Sequence, residues 1–138
     1  MPTLSRWFLR AGFVALTLGL LLELGLAWPF PGSAASPVAA LYRVAVHLLT
    51  VGWLLQVMAG VAFWMFPRHP DHPPRGNPMI GWAAFTLLNV GLALRAVGEP
   101  WSDFGGPGAI LVGAAICQFT AVVLLVGLLW PRVRGPTA

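Results

Sequence analysis

The chain has little charge, no lysine and almost no cysteine. Only 9% of its 138 residues are charged, whereas 58% are hydrophobic. A soluble domain of this length has too much surface for its volume to bury so much apolar area. Cys117 is the only cysteine, which excludes an intramolecular disulfide and a metal site built from several thiolates. We therefore expect lipid, not water, to surround most of the chain.

Four apolar runs account for most of the sequence. Two of them reach the roughly 20 residues needed to cross a hydrocarbon core, and the shorter two extend into their flanks. The predicted helices cover about residues 6–28, 38–66, 78–98 and 107–130. Short loops rich in proline and glycine join them. The sequence thus predicts an all-α membrane protein with a single domain over residues 1–138, an antiparallel bundle of four transmembrane helices.

The basic residues are all arginine and lie mainly near the ends of the predicted helices. Six fall on one side of the expected membrane, at Arg6, Arg10, Arg68, Arg75, Arg132 and Arg134. Arg43 and Arg95 fall on the other side, where Glu99 and Asp103 offset their charge. Because cytoplasmic loops are enriched in arginine and lysine, both termini are predicted to lie in the cytoplasm. The scattered arginines form no basic patch, so we expect no nucleic-acid partner.

A few polar side chains lie inside the predicted helices, where each of them needs a partner. Glu23 lies near the same membrane surface as Arg95 and Arg43, and an ion pair with one of them is the simplest expectation. Alternatively, the two arginines hold an anionic ligand, such as the propionates of a cofactor, by charge-assisted hydrogen bonds. Asn89 and Gln118 are predicted to form hydrogen bonds between helices.

His47 is the only histidine inside a predicted helix. His69 and His72 lie in the segment "RHPDHPP", whose prolines exclude a regular helix and indicate a solvated loop. An imidazole in hydrocarbon is either structural or a ligand. A structural imidazole would need a hydrogen-bond partner, for which Glu23 and Asn89 are candidates.

As a ligand, His47 would suit a haem iron, because the helices of a bundle can cover the macrocycle. Arg43 and Arg95, with Tyr42 beside Arg43, would then lie toward the propionates. Copper fits less well, because Met58 lies roughly 16 Å further along the helix and is too far away to share a metal ion with His47. These residues alone leave the structural and the haem-binding roles both open.

Residues 42–68 carry a pattern that resembles a known family. The segment resembles the histidine-bearing helices in the catalytic subunit of haem-copper oxidases and nitric oxide reductases. In that family the second helix begins outside the membrane and carries a haem ligand near its outer end, and the predicted orientation puts His47 in the same place. The shared positions are His47, Gly52-Trp53, Gly60, Phe63-Trp64 and Phe66-Pro67-Arg68.

The resemblance implies a b-type haem protein of a respiratory chain in the bacterial inner membrane, with His47 as the iron ligand. With one such histidine per chain, the iron would be five-coordinate and open to a diatomic gas, or held between two copies in a homodimer that passes electrons. The histidine cluster that binds copper in the family is absent, so we do not expect an enzyme that reduces oxygen or nitric oxide. The alternative is a non-haem accessory or assembly subunit of a respiratory oxidase or nitric oxide reductase, with a structural His47.

Overall fold

Helices make up nearly all of the chain that the structure describes. The computed structural model describes residues 1–28, 36–68, 75–103, 105–106 and 108–133. The elements are α1 (Thr3–Ala27), α2 (Ser36–His47), a π-helical segment (Leu48–Leu55), α3 (Gln56–Met65), α4 (Pro78–Asp103) and α5 (Ala109–Val133). Residues 36–65, called the second span below, run through α2, the π-helical segment and α3 without a break.

Four stretches of the described chain are long and apolar enough to cross a membrane, which confirms the expected class of protein and the expected number of helices. Only 17% of the most apolar part of the first stretch is buried inside the protein. Its remaining side chains need an apolar solvent, which a bilayer supplies. The four stretches are Thr3–Ala27, Ala40–Met65, Pro78–Ser102 and Ala109–Val133.

Prolines set two of the helix limits, as their chemistry predicts. Pro78 occupies the first position of α4. Proline has no backbone N–H, and an N–H at this position would have no acceptor within the helix. At the other end of the same connection, α3 ends before Phe66, which is extended with φ −62° and ψ 147°. The residue that follows is Pro67, and a proline pushes its predecessor out of the helical region.

The end of α4 differs from the prediction. The sequence predicted an end near residue 98, because Gly98 and Pro100 both weaken a helix. In the structure α4 continues through Pro100 to Asp103. A proline in the last turn removes only one backbone hydrogen bond, so a helix that is packed on its neighbours tolerates it. The extension places Glu99 inside the helix rather than in a loop.

The middle of the second span is a π-helix over Leu48–Leu55. Its hydrogen bonds join residues i and i+5, so each turn is wider than in an α-helix. The segment starts directly after His47. Because the wider turn rotates all later residues around the helix axis, residues on either side of the segment do not share a face at the usual α-helical spacing. π-helices are rare and frequently occur at functional sites.

Glycines allow α1 and the second span to approach closely. A Cβ atom built on Gly12 would lie 2.9 Å from Val57 Cγ2, and one built on Gly60 would lie 2.9 Å from Phe8 Cβ. Residues earlier in α1 therefore contact residues later in the second span. Such close approach through small residues is the usual way in which helices pack in lipid.

The same kind of contact joins α4 to α5. A Cβ atom on Gly91 would lie 2.9 Å from the carbonyl oxygen of Ala114, and one on Gly98 would lie 2.9 Å from Ile110 Cγ2. Here too, residues later in α4 contact residues earlier in α5. Both pairs, α1 with the second span and α4 with α5, thus approach closely at more than one point along their length.

The four spans do not close into a ring. Among the described residues, no Cα atom of α1 lies within 8 Å of one in α5, and α2 and α5 are separated in the same way. All four spans meet only toward the end that carries Thr3 and Val133, where they share one apolar core. Its buried members are Leu4, Phe8, Ala59, Phe63, Ala84, Leu88, Ala121, Leu125 and Leu128.

Candidate functional site

His47 is the last residue of α2 and is partly buried. Its Nδ1 atom lies 2.8 Å from the carbonyl oxygen of Arg43, one turn earlier in the same helix. Because a carbonyl oxygen can only accept, Nδ1 carries a proton and donates it to this bond. In the neutral ring, Nε2 then has an unprotonated lone pair. The hydrogen-bond partner is neither Glu23 nor Asn89, which the sequence offered as candidates.

Arg43 and Arg95 are brought together by Glu99. Arg43 Nε donates to Glu99 Oε2 at 2.6 Å, and Arg95 Nη1 donates to Glu99 Oε1 at 3.0 Å. The Glu99 side chain is only 6% exposed, whereas those of Arg43 and Arg95 are 42% and 19% exposed. A buried carboxylate with a guanidinium on each oxygen is well compensated. This group of three residues is called the arginine–glutamate cluster below.

The expected ion pair to Glu23 is therefore wrong. No hydrogen bond or ion pair joins Glu23 to either arginine in the described part of the chain. Glu99 takes this role because α4 continues past Gly98, which carries the carboxylate onto the helix face that also bears Arg95. The spacing of four residues between Arg95 and Glu99 is the one at which side chains meet on a helix.

Tyr42 precedes Arg43 but does not join the cluster. Its side chain is among the exposed ones, and no hydrogen bond of its hydroxyl is found within the described chain. The structure thus groups His47, Arg43 and Arg95 through one backbone carbonyl and one carboxylate. Within that group, Arg95 Nε is buried and has no hydrogen-bond partner among the described residues.

A pair of amides lies deeper in the protein. Gln56 and Asn89 exchange two hydrogen bonds of 3.2 Å between the second span and α4. Each amide also donates to its own helix, Gln56 to the Gly52 carbonyl and Asn89 to the Phe85 carbonyl, both at 2.8 Å. This confirms the interhelical role predicted for Asn89. Gln118 does not share that role, because its buried Nε2 has no partner within the described chain.

A groove of about 420 Å³ runs between α1 and α4. Its volume lies in the range of small-molecule sites, and Arg10 and Asn89 are its polar contributors. His47 does not line this groove, although its neighbour Leu48 does. The groove therefore does not bring a bound molecule to the imidazole. Its lining residues are Trp7, Arg10, Ala11, Val14, Ala15, Leu18, Leu48, Phe85, Asn89, Leu92, Ala93 and Ala96.

Metal-ligating side chains are sparse in the described part of the chain. No three histidine, cysteine, aspartate or glutamate side chains come together there in a way that could hold a metal ion. His69 and His72 lie outside the described residues. A metal centre within the described helices would thus have His47 as its imidazole ligand, with the remaining ligands supplied by a cofactor or by another chain.

Comparisons of the chain with protein families, with curated proteins and with solved structures find no match.

Proposed function

We propose that this protein is an integral membrane protein that binds a b-type haem through Nε2 of His47. The observation that carries the proposal is the hydrogen bond from Nδ1 to the Arg43 carbonyl. Histidines that ligate metals usually donate their other ring N–H to a carbonyl or carboxylate, which fixes the tautomer and the ring orientation. In His47, the same kind of hydrogen bond leaves the lone pair of Nε2 available to bind an iron.

The arginine–glutamate cluster supplies the second requirement, a place for the negatively charged edge of the cofactor. Arg43 lies one turn from His47, and Arg95 is joined to it through Glu99. We assign the buried Nε–H of Arg95 as the donor to a propionate, because it has no partner among the described residues. Glu99 would hold both guanidinium groups in position. When bound, the haem would supply one-electron redox chemistry or a site for a diatomic gas.

A homodimer is part of the proposal. His47 is the one imidazole of the described helices, and the groove between α1 and α4 does not include it. A second copy could cover the haem and offer a second His47 to the same iron. Large apolar side chains remain exposed along the second span at Leu54, Met58 and Met65, and they would suit such a contact or lipid.

The proposed setting is the bacterial inner membrane, with the spans antiparallel and both termini in the cytoplasm. The opposite order of contacts along neighbouring helices supports the antiparallel arrangement. In this orientation His47 and the arginine–glutamate cluster lie toward the outer surface, so electrons or gas would reach the haem from that side.

A second candidate is a non-haem accessory or assembly subunit of a respiratory oxidase or nitric oxide reductase. The placement of the groove between α1 and α4 favours it, because His47 is not among the residues that line this groove. In that case the imidazole would only bridge to the Arg43 carbonyl, and the exposed apolar faces would contact the larger subunits.

An absorption spectrum separates the two candidates. The protein should be produced with ample haem, purified in mild detergent and examined in the oxidised and reduced states. The haem proposal predicts a Soret band and an alkaline pyridine spectrum of b type. The ratio of haem to chain then gives the arrangement, with one haem per two chains for a shared iron and one per chain for a five-coordinate iron. A colourless protein of correct fold would support the accessory role.

A further inference from the structure

Two arginines lie close together at the end of the protein that carries both Thr3 and Val133. Arg132, in the last turn of α5, is only 2% exposed. Arg75 lies just before α4 and is partly buried. Gly76, the residue after Arg75, packs on Leu128, one turn before Arg132, because a Cβ atom built on Gly76 would lie 2.6 Å from Leu128 Cδ1. The two positive charges in this region repel each other. No carboxylate is paired with either of them within the described chain.

Arg132 uses most of its N–H groups to cap the second span. Its Nε donates to the Pro67 carbonyl at 3.0 Å, and its Nη2 donates to the carbonyls of Phe63 and Phe66 at 3.0 and 2.7 Å. Phe63 lies in the last turn of α3, and Phe66 and Pro67 follow the helix directly, so these carbonyls have no helical partner. The cap uses hydrogen bonds but leaves the charge of Arg132 without a counter-ion. Its Nη1 is buried and has no partner among the described residues.

The side chain of Arg75 is held by fewer hydrogen bonds than that of Arg132. Its Nε is also buried without a hydrogen-bond partner in the described chain. The next residue, Gly76, has φ +78°, a conformation that favours glycine. Two neighbouring positive charges with unused N–H donors create a positive potential in a partly dry region. An anion would relieve both the repulsion and the unmade hydrogen bonds.

A cavity of about 270 Å³ adjoins this pair of arginines. Arg75 lines it directly, and so does Phe63, whose carbonyl binds Arg132. Thr3 and Trp82 add a hydroxyl and an indole N–H that can donate hydrogen bonds. The other lining residues are mostly apolar: Pro2, Leu4, Gly76 and Pro78. A polar corner beside an apolar wall, at the end of a membrane span, matches a charged head group with an attached apolar part.

We propose that this cavity binds a phosphate group, with Arg75 as the direct donor and Arg132 as the charge behind Phe63. Guanidinium groups bind phosphate oxygens in preference to neutral acceptors because the hydrogen bonds are charge-assisted. The phosphate could belong to the head group of an anionic membrane lipid or to a free phosphate compound, since both present the same oxygens to Arg75. The site lies at the opposite end of the protein from His47 and does not depend on haem.

The test uses the purified full chain in detergent, with two probes. Binding of phosphatidylglycerol is followed by native mass spectrometry, with phosphatidylcholine of the same acyl chains as the neutral control. Binding of inorganic phosphate is followed by the melting temperature at constant ionic strength. Arg75→Gln removes the direct donor, and Arg68→Gln removes the same charge from an exposed residue of the same connection. Thr3→Val removes a hydroxyl without changing the charge.

We expect saturable binding of at least one phosphate probe by the wild type. Arg75→Gln should weaken it about tenfold, as the loss of a charged hydrogen bond predicts, and Thr3→Val should weaken it by a smaller factor. Arg68→Gln should leave it within about twofold. Binding of phosphatidylglycerol alone identifies a lipid site, and binding of inorganic phosphate identifies a site for free phosphate compounds. The proposal is overturned if neither probe saturates, or if Arg68→Gln and Arg75→Gln weaken binding equally. If Arg75→Gln does not fold, unchanged binding by Thr3→Val overturns it.

Discussion

Gln56 and Asn89 exchange two hydrogen bonds of 3.2 Å between the second span and α4. Because each amide also donates to a carbonyl of its own helix, both N–H groups of each side chain are used. Gln56 is fully buried, so water cannot replace these bonds. The pair therefore fixes how far the second span lies along α4, at a level directly beside the core residue Leu88.

Replacing Asn89 by leucine should destabilise the protein by about 1–2 kcal/mol, because it leaves the buried amide of Gln56 without its partner. Reversible unfolding in mixed micelles gives the free energy. A double-mutant cycle with Gln56→Leu should return a coupling of roughly 1 kcal/mol.

Gln118 provides the control for this prediction. It is also an amide inside a span, but its buried Nε2 has no partner among the described residues. Gln118→Leu should be neutral or slightly stabilising, since no bond is lost and a polar group leaves the hydrocarbon. A cost as large as that of Asn89→Leu would show that the pairing of amides is not as described.

Glu99 is predicted to contribute more to the stability of the fold than Glu23, because it holds the arginine–glutamate cluster together. Glu99→Gln should cost about 2–3 kcal/mol, because it removes the buried carboxylate that Arg43 and Arg95 share. The cost stays below the roughly 3–5 kcal/mol of a fully buried pair, because Arg43 is 42% exposed. Unfolding in mixed micelles is again the measurement.

Glu23→Gln is the matched variant for the Glu99 prediction. Glu23 has no ion pair in the described part of the chain, so its neutralisation should change the free energy of unfolding by no more than about 0.5 kcal/mol. If Glu23→Gln is the more damaging of the two substitutions, the cluster is centred on the wrong carboxylate.

The two carboxylates also illustrate what the sequence could and could not predict. Hydropathy predicted the four spans, because a bilayer imposes a length and a composition on every helix that crosses it. The partner of Arg43 and Arg95 was missed because Gly98 and Pro100 read as a helix stop, whereas tertiary packing carries α4 on to Asp103. Sequence propensity is a weak guide where packing decides.

The surroundings of His47 were only partly predictable. Its place inside the second span followed from the apolar run around it. The π-helical segment over Leu48–Leu55 was not predicted, because it depends on a backbone hydrogen-bond pattern and not on a particular residue type. The bond from Nδ1 to the Arg43 carbonyl could have been suspected from the spacing of four residues, which places a ring nitrogen near the preceding turn.

Because α4 packs closely on α5, replacing two glycines of these helices by alanine should change the stability by very different amounts. A Cβ atom on Gly91 would lie 2.9 Å from the backbone oxygen of Ala114, whereas one on Gly113 would meet nothing within 4 Å. Gly91→Ala should cost about 1–3 kcal/mol by overpacking. Gly113→Ala should be neutral or stabilise by up to about 1 kcal/mol through helix propensity. Equal effects on the melting temperature would contradict this contact.

The orientation of the chain rests on the arginine distribution. Arg132 is buried as a helix cap, so it does not act as an exposed topology signal. Without Arg132, five arginines lie on the predicted cytoplasmic side and two lie on the other side. A C-terminal fusion to green fluorescent protein should therefore fluoresce in bacterial cells, and a fusion to alkaline phosphatase should be inactive. Active phosphatase would place the termini outside.

The role of His47 is tested most directly by the haem content of purified variants, measured per chain from the alkaline pyridine spectrum. Wild type, His69→Ala and His72→Ala should retain haem b in equal amounts. His47→Ala should lose it while keeping the helical content and the oligomeric state of a folded protein, because Nε2 of this residue is the proposed iron ligand. A colourless wild type, or a His47→Ala variant that binds as much haem as the wild type, would contradict the account.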